Sequence, residues 1–365
     1  MTTQEVPPEV LGHVKYRVKG GDDDWVTVQA VPRTDRIRSA SLTELPSDAD
    51  IEYLVSADNV RQFTSRFRTA PDPDAATWPV RVLLFGDSGW GGNEQVRLAR
   101  QMRGVAWDLL VHLGDVAYQN GTEEEFTLRH FRVYSDILQS TPMFPAVGNH
   151  DLHTNDGAAY DASFVWRPPF PGERYYTYRW GGVQFISLDT SSPTADVEDL
   201  RAGIGRQYDW LLKTLQSAHD EPTIKWTIVY MHHPLISHGL GLSGHGGDRK
   251  LRVALGPLFE KWGVDLVAAG HEHHYERTTP VRGGRKVPRG CGPVYVVAGS
   301  AGASRYARGV GSSSVTAVSS REYSFVDLSI DAGVLVGRAI KQDGSLLDEF
   351  HVQPFDGVDG PECSN

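Results

Sequence analysis

The sequence predicts a large α/β domain preceded by a small all-β module, and three patterns along the chain support this prediction. Short strand-like runs with polar punctuation occupy residues 12–70. A segment with prolines at positions 71, 73 and 79 then interrupts regular structure. From Val80 onward, apolar runs alternate with helical stretches, which is typical of α/β proteins. We therefore predict an N-terminal module over residues 1–70, a linker over 71–79, a main domain over 80–352 and a tail over 353–365.

The composition is that of a globular protein. With 365 residues, of which 40% are hydrophobic, the chain can bury a sizeable core. Its formal net charge of -10 disfavours binding to extended nucleic acid, because such binding requires phosphate to be neutralised over a long surface. No apolar run approaches the roughly 20 residues of a membrane span, so we expect no membrane partner. The composition does not predict an oligomeric state.

The cellular compartment follows less directly from the sequence. The first residues, MTTQEVPPEV, lack the basic and apolar regions of a signal peptide, so the sequence as written predicts a cytoplasmic protein. A secreted protein whose signal peptide had been removed would look the same. Cys291 and Cys363 allow one disulfide bridge in an oxidising compartment, but two cysteines do not decide whether it forms.

The predicted elements of the two parts differ in their hydrophobic period. Residues 62–69 alternate between two faces, as expected for a half-buried strand, with Phe63 and Phe67 on the same face. The main domain contains longer apolar runs, which are VRVLLFG, LLVHLG, PMFPAVG, VQFISLD, WTIVYM, VDLVAAG and PVYVVAG. Between them, residues 208–215 and 251–262 repeat apolar side chains at helical spacing. Strands buried on both faces by helices read as continuous apolar runs, so these features predict an α/β arrangement.

Side chains that bind metals recur where five of these strands end. They are Asp87 after VLLFG, Asp115 after LLVHLG, Asn149 after FPAVG, His232 after WTIVYM, and His271 with His273 after VDLVAAG. Tyr118 follows Asp115 by three positions. Ligands of open α/β sheets bind beyond the carboxyl ends of the strands, so we expect these side chains to converge on one site.

The residue types restrict the chemistry of such a site. Carboxylate, phenolate, amide and imidazole donors suit iron, manganese or zinc, and the absence of cysteine from the set argues against a structural zinc site. The stretch AAGHEHHYERT does not fit the HExxH pattern of zinc proteases, because the fifth residue counted from His271 is Tyr275. Each motif alone is weak, since Gly-Asp is common in turns and single histidines are common in cores.

The order of the motifs is more specific than any one of them. GDSG, GDVAY, GNHD, VYMH and GHEH, in this order, resemble the five signature blocks of the metallophosphoesterase superfamily. Gly89, where many members have histidine, and Tyr118 resemble the purple acid phosphatase branch in particular. The resemblance covers about residues 80–352 and implies a calcineurin-like four-layer αββα sandwich of two mixed sheets. The preceding module resembles the fibronectin III-like domain of larger members. This resemblance implies that the module is a small β-sandwich.

The resemblance also implies which residues hold two metal ions. The first ion would be bound by Asp87, Asp115, Tyr118 and His273, and the second by Asp115, Asn149, His232 and His271. Asp115 would therefore bridge the two ions, at the separation of roughly 3.5 to 4 Å that suits in-line phosphoryl displacement. A phenolate favours a trivalent ion, so we expect Fe(III) in the first site. Zinc, Fe(II) or manganese would suit the second.

Four further residues are candidates for catalysis or substrate binding. The resemblance implies that His150 binds phosphate and transfers a proton, and the adjacent Asp151 is positioned in the sequence to orient its ring. His238 and His245 lie in SHGLGLSGHGG and are candidate substrate-binding residues, with an ordinary surface loop as the alternative.

Three other histidines are expected to lie outside the metal set. His112 falls within the LLVHLG strand and is expected to be a packed, hydrogen-bonded core residue. His233 and His274 each follow a predicted ligand, and their rings are expected to point away from the ions.

These features together predict a binuclear metal-dependent phosphatase. It would hydrolyse small phosphate monoesters by attack of a metal-bound hydroxide, without a serine or cysteine nucleophile. A phosphodiesterase or nucleotidase is an alternative on the same site, since these activities differ in the walls of the pocket. A third alternative is a metal-binding scaffold without turnover, which would be expected to lack some ligands.

Overall fold

The computed structural model of the protein describes residues 12–20, 24–57, 60–75, 78–165, 172–239, 245–305, 311–357 and 363. The described residues before Val80 contain strands and no helix, as predicted. An antiparallel sheet has the order β2, β1, β5, β6, formed by β1 (Gly12–Val18), β2 (Val26–Gln29), β5 (Asp50–Ala57) and β6 (Val60–Arg68). A short ribbon joins β3 (Val31–Pro32) to β4 (Arg38–Ser39). The alternation predicted in β6 is confirmed, because Phe63 and Phe67 are half-buried whereas Gln62 and Arg66 are exposed.

The first sheet of the main domain has six strands in the order β21, β20, β19, β7, β8, β9. Their bounds are β7 Val80–Phe85, β8 Leu109–His112, β9 Met143–Pro145, β19 Ser324–Ile330, β20 Leu335–Lys341 and β21 Leu346–Val352. The strands β7, β8 and β9 are parallel, and β19, β20 and β21 pair antiparallel. This mixture extends a parallel half with two hairpins from the C-terminal part of the chain.

The second sheet has seven strands in the order β10, β11, β12, β13, β17, β14, β18. Their bounds are β10 Tyr176–Trp180, β11 Val183–Ser187, β12 Trp226–Met231, β13 Leu266–Ala269, β14 Tyr275–Thr278, β17 Val294–Ala298 and β18 Thr316–Ser320, and a separate ribbon pairs β15 Val281–Arg282 with β16 Arg285–Lys286. The central strands β11, β12, β13 and β17 are parallel. The calcineurin-like arrangement of two mixed sheets is thereby confirmed.

The helices cover the outer faces of the two sheets. They are α1 Asn93–Met102, α2 Glu123–Glu125, α3 Ser135–Leu138, α4 Ala158–Ser163, α5 Ala195–Ala202, α6 Gly205–Asp220 and α7 Arg249–Lys261, with a π-helical turn over Phe126–Phe131 and 3-10 turns over His150–Leu152 and Asn155–Gly157. No helix in the described ranges combines the length and the apolarity that a membrane crossing requires.

The side chains of each central strand alternate between two cores. Along β7, Val82 and Leu84 face the other sheet, whereas Leu83 and Phe85 pack in the cluster that contains Leu98 of α1. Along β13, Leu266 joins the core between the sheets and Val267 joins the cluster that includes residues of α5, α6 and α7. Because both faces are covered, the strands are apolar at consecutive positions. The layers are therefore helix, sheet, sheet and helix.

Cys291 and Cys363, whose pairing the sequence left open, form a disulfide. The bridge joins the segment before β17 to the end of the chain, 72 residues later in the sequence.

Candidate metal centre

The candidate metal centre lies where the parallel strands of both sheets end. Asp87 follows β7, Asp115 follows β8, and His271 follows β13, each directly after a glycine. These three residues have left-handed backbones, with φ of 56°, 53° and 67° respectively. Non-glycine residues adopt this conformation rarely, and such residues concentrate at functional sites. The turn after each of these strands thus carries a polar residue in a conformation that is typical of functional sites.

Glycine is required beside these ligands because the loops approach one another closely. A Cβ on Gly270 would lie 2.5 Å from Asp87 Oδ2, so a larger residue would displace a predicted ligand. A Cβ on Gly89 would collide with the Val116 carbonyl. A histidine at position 89 is therefore incompatible with this path of the chain, which agrees with the prediction from GDSG.

The structure brings the predicted ligands of the first ion together. The Tyr118 hydroxyl donates to Asp87 Oδ1 at 2.9 Å and lies 3.1 Å from His273 Nε2. Asp87 Oδ1 is 3.6 Å from the same imidazole nitrogen. Two donors that are each about 2.1 Å from an ion, at right angles about it, lie about 3 Å apart. The three atoms have the spacing of neighbouring ligands on one ion.

The predicted ligands of the second ion form a similar cluster. Asn149 Oδ1 lies 3.0 Å from His232 Nε2 and 3.1 Å from His271 Nδ1. The two imidazole nitrogens are 3.2 Å apart. These three separations again match those of neighbouring ligands around one ion.

Asp115 joins the two clusters. Its Oδ1 lies 3.5 Å from His232 Nε2 in the second cluster, and its side chain contacts that of Tyr118 in the first. Ligand atoms of Asp87, Asp115 and His232 all lie within 4.8 Å of one another. Asp115 thus lies between the two clusters, and its role as a bridging ligand remains a prediction.

Hydrogen bonds to backbone carbonyls orient two of the candidate histidines. The Leu113 carbonyl can only accept a hydrogen bond, so His232 Nδ1 donates to it at 2.8 Å, and Nε2 is the ring nitrogen directed toward the other candidate donors. His273 Nδ1 is held in the same way by the Ser304 carbonyl at 2.8 Å. Such carbonyl partners commonly fix the tautomer of metal-bound histidines. His232 Nε2 therefore faces the amide oxygen of Asn149, and a cation could bind to both atoms.

Burial favours the neutral forms of two further ligands. Burial lowers the pKa of His271, and the neighbouring rings of His232 and His233 lower it further, so the imidazole is neutral and able to bind a metal. Burial also raises the pKa of Tyr118 well above its ordinary value, and the charges of Asp115 and Asp87 raise it further. The residues present thus fit two cations. The cation beside Tyr118 must be able to displace the proton of its phenol.

The structure corrects the expected partnership between Asp151 and His150. The fully buried carboxylate of Asp151 accepts the N–H groups of Ala117 at 3.0 Å and Gly148 at 2.9 Å. The ring of His150 is held instead by the Gln119 carbonyl, 2.8 Å from Nδ1. Adjacent side chains diverge in the turn that begins at His150, so Asp151 ties together the loops after β8 and β9 and does not orient the ring.

One residue beside His150 was missed by the sequence analysis. His153 Nδ1 lies 2.9 Å from the same Gln119 carbonyl, and its ring centroid is 4.7 Å from that of His150. His153 is exposed, whereas His150 Nε2 reaches to 4.0 Å from Asp115 Oδ2. The i, i+3 spacing in HDLH could have indicated the pair, since side chains three residues apart align in a 3-10 turn.

The two loop histidines lie in different places. The ring of His245 is 4.6 Å from that of His271, measured between centroids, so His245 borders the second cluster. His238 Nδ1 pairs with Glu276 Oε1 at 2.7 Å. His238 lines a separate cavity of about 560 Å³, and none of the seven predicted ligands, all of which are described, lines that cavity.

The other three histidines differ in their surroundings. His112 is fully buried, and its Nε2 lies 2.9 Å from the Ser88 hydroxyl, which confirms the predicted core role. His274 contacts Glu276 rather than a predicted ligand. His233 Nδ1 faces the Thr190 hydroxyl at 3.2 Å, but its ring packs 4.2 Å from that of His271. His233 is therefore closer to the centre than its sequence position indicated.

Residues 80–275, which make up more than half of the chain, match the calcineurin-like phosphoesterase family. The chain belongs to this family. Among curated relatives, human acid phosphatase type 7 is 28% identical over 331 residues, which cover 83% of this chain and 74% of that protein. An uncharacterized protein of Mycobacterium tuberculosis is 29% identical over 283 residues, covering 68% of this chain. The match covers 52% of the mycobacterial protein, so the chain spans about half the length of that relative.

A solved structure of the family gives the same fold. Purple acid phosphatase PPD1 from yellow lupin seeds matches with a TM-score of 0.80 at 20% identity, over 100% of this chain and 73% of that one. The similarity supports the calcineurin-like fold predicted from the motifs. Among the curated relatives, purple acid phosphatase 21 of Arabidopsis thaliana is 29% identical over 245 residues, which cover 65% of this chain and 52% of that protein.

Proposed function

We propose that the protein is a two-metal phosphatase that hydrolyses small phosphate monoesters. One observation carries this proposal: seven donor residues from five loops lie in two clusters that share Asp115. A scaffold that only needs the fold has no use for a complete set of donors at these separations. The acid phosphatase relatives support the same reaction class.

Bound metal ions supply a nucleophile at ordinary pH by lowering the pKa of water, and they balance the charge of the phosphoryl group. The chain's own contribution is to hold the donors rigidly. Asp115 is 1% exposed, and its Oδ1 accepts the backbone N–H of His150 at 2.9 Å, which fixes the carboxylate. Asp151 also joins the loops after β8 and β9, because its carboxylate accepts backbone N–H groups from both. Such preorganisation means that little rearrangement is needed when charge develops.

The donor sets favour different ions in the two clusters. Asp87 and Tyr118 offer two anionic oxygens beside the imidazole of His273, a set that stabilises Fe(III). Asn149, His232 and His271 are neutral donors, so with the shared Asp115 they suit zinc, Fe(II) or manganese. We therefore propose Fe(III) in the first cluster and a divalent ion in the second.

His150 is the proposed acid for the leaving group. Because the Gln119 carbonyl holds Nδ1, the Nε2 atom is the one directed toward Asp115, at 4.0 Å from Oδ2. A proton on Nε2 can be donated to the departing oxygen or can bind phosphate. His245, whose ring lies 4.6 Å from that of His271, is also proposed to bind the phosphate group. For His238 the contacts support a role in holding the loop rather than in touching substrate.

The disulfide supports a location for the protein. Disulfides form and persist mainly in oxidising compartments, and Cys291 with Cys363 are bonded. We therefore propose an extracytoplasmic compartment rather than the cytoplasmic one that the sequence alone predicted.

The proposal is tested by turnover of the metal-loaded protein on matched substrates. We expect hydrolysis of p-nitrophenyl phosphate that a chelator removes and added metal restores, with kcat/KM greater than on bis(p-nitrophenyl) phosphate. A preference for the diester or for nucleotides would favour the phosphodiesterase or nucleotidase alternative. If the protein carries two metal ions and hydrolyses none of these substrates, it is a metal-binding scaffold.

A further inference from the structure

The segment between β12 and α7 is closed at its base by its own backbone. Gly247 donates its N–H to the Ser237 carbonyl at 3.1 Å, and Asp248 donates to Pro234 at 2.7 Å. Residues 240–244 lie outside the described residues; below, the first arm means the described residues of the segment before this gap, and the second arm means those after it. One arm carries His238 and the other carries His245, the histidine that borders the second cluster.

The arm that carries His245 is held by Glu272. One oxygen of this carboxylate, Oε1, accepts the backbone N–H groups of His245 at 2.6 Å and Gly246 at 2.8 Å. Glu272 is fully buried and lies between His271 and His273 in the sequence. Burying a carboxylate is costly unless its oxygens have partners; Oε1 accepts the two N–H groups, and Oε2 faces His274 Nδ1 at 3.8 Å, beyond hydrogen-bond distance.

The arm that carries His238 is held by a second buried carboxylate, Glu276. Its Oε2 accepts the N–H of His238 at 2.8 Å, and its Oε1 lies 2.7 Å from His238 Nδ1. His274 Nε2 lies 3.2 Å from Glu276 Oε2. Residues 271–276 thus supply two candidate metal ligands and also both carboxylates that hold the segment between β12 and α7.

We propose that Glu272 is a positioning residue for substrate binding. By holding the backbone of residues 245 and 246, it keeps the His245 ring 4.6 Å from that of His271, where it can contact the phosphate of a substrate. Glu276 fixes the opposite arm, and His238 acts through this contact. The inference rests on the proposed phosphatase function, and it adds that phosphate affinity depends on a residue that touches neither metal nor substrate.

The test compares steady-state kinetics of metal-loaded variants on p-nitrophenyl phosphate, with orthophosphate as the inhibitor. Glu272→Ala is expected to raise both KM and the inhibition constant of orthophosphate about tenfold, which corresponds to about 1.4 kcal/mol. The value of kcat should change less than KM, and metal content should remain that of the wild type. Glu272→Gln should restore near wild-type KM, because an amide oxygen can accept both N–H groups. Glu272→Asp retains the charge, but its shorter side chain moves the carboxylate away from the N–H groups of residues 245 and 246. It therefore provides the same test if the alanine variant does not fold.

Glu260→Ala is the matched control. Glu260 Oε1 also accepts a backbone N–H, that of Gly283 at 2.8 Å, but on a ribbon that carries no candidate ligand. We expect no change in KM for this variant.

A double-mutant cycle with His245→Ala distinguishes positioning from general stabilisation. If Glu272 acts through His245, the Glu272→Ala change should have little further effect on KM in the His245→Ala background. Full additivity, or loss of metal from the Glu272→Ala protein, would overturn the positioning role. An active wild type with an additive cycle overturns only this inference, whereas a wild type without metal-dependent turnover overturns the proposed function as well.

Discussion

Tyr118 donates its phenolic hydrogen to Asp87 Oδ1 across 2.9 Å, and both side chains are buried. Burial and the nearby carboxylates raise the pKa of this phenol, so at neutral pH it would keep its proton if no cation were bound. Only a strongly charged ion is expected to displace that proton. The hydrogen bond from Tyr118 to Asp87 therefore marks the place where a trivalent ion would bind two anionic oxygens.

The first prediction concerns this phenol. Tyr118→Phe should abolish any visible charge-transfer band of the iron-loaded protein while leaving it folded, because the ring still packs against Trp90 and only the oxygen is lost. Absorption spectra and thermal melts of the two proteins check this. A variant that keeps the band of the wild type would show that another residue donates charge to iron.

The second prediction is the metal content. The two clusters around Asp115 should hold close to two ions per chain, at least one of them iron. Elemental analysis of fully active protein checks the number, and Asp115→Asn should lower it because the bridging carboxylate loses charge. A fully active chain with a single zinc ion would contradict the two-metal interpretation.

The strand pattern predicted that the seven candidate donors lie together, because they follow apolar strands and parallel strands end at a common edge; their assignment to two ions came from the family resemblance and remains a prediction. The sequence could not predict the hydrogen bonds that hold these residues and their neighbours, because such bonds depend on packing between distant loops. Asp151 illustrates this limit: it is adjacent to His150 in the sequence but faces Ala117 and Gly148, because consecutive side chains diverge. Likewise, no pattern in the sequence separates His245 from His238; the contacts with Glu272 and Glu276 distinguish them.

The third prediction separates ligands from neighbouring histidines. Asn149→Ala removes an oxygen that lies within 3.1 Å of two imidazole nitrogens, so it should reduce metal affinity and kcat/KM by more than about 100-fold, the upper end for loss of an outer partner. His233→Ala removes a ring that packs on His271 and should retain both ions. Metal content and activity of the two variants are measured side by side. Equal metal loss from both would mean that His233 belongs to the ligand set.

The fourth prediction concerns stability in acid. Burial alone would raise the pKa of Glu276, but the hydrogen bonds from His274 and His238 outweigh it and lower the pKa to about 2, from an ordinary value of 4.5. A lowered carboxylate pKa contributes stability above pH 4.5 that is lost as the pH falls toward 2. Glu276→Gln should therefore lower the melting temperature at pH 6 more than at pH 3. An equal decrease at both pH values would show that the charge of Glu276 does not stabilise the fold.

The fifth prediction tests the proton that His150 is proposed to donate. General acid catalysis is worth roughly 10² to 10⁴ in rate, but only where the leaving group needs a proton. p-Nitrophenolate is stable as an anion, whereas the alkoxide from glycerol phosphate is not. Because the hydrogen bond from His150 to Asp115 is donated by the backbone N–H, removal of the ring should leave the candidate metal ligands in place. His150→Ala should therefore reduce kcat on glycerol phosphate far more than on p-nitrophenyl phosphate, with metal content unchanged.

His153→Ala is the control, since its ring contacts the same Gln119 carbonyl but is exposed. If His150→Ala slows both substrates by the same factor, the ring binds phosphate uniformly and does not act as the acid.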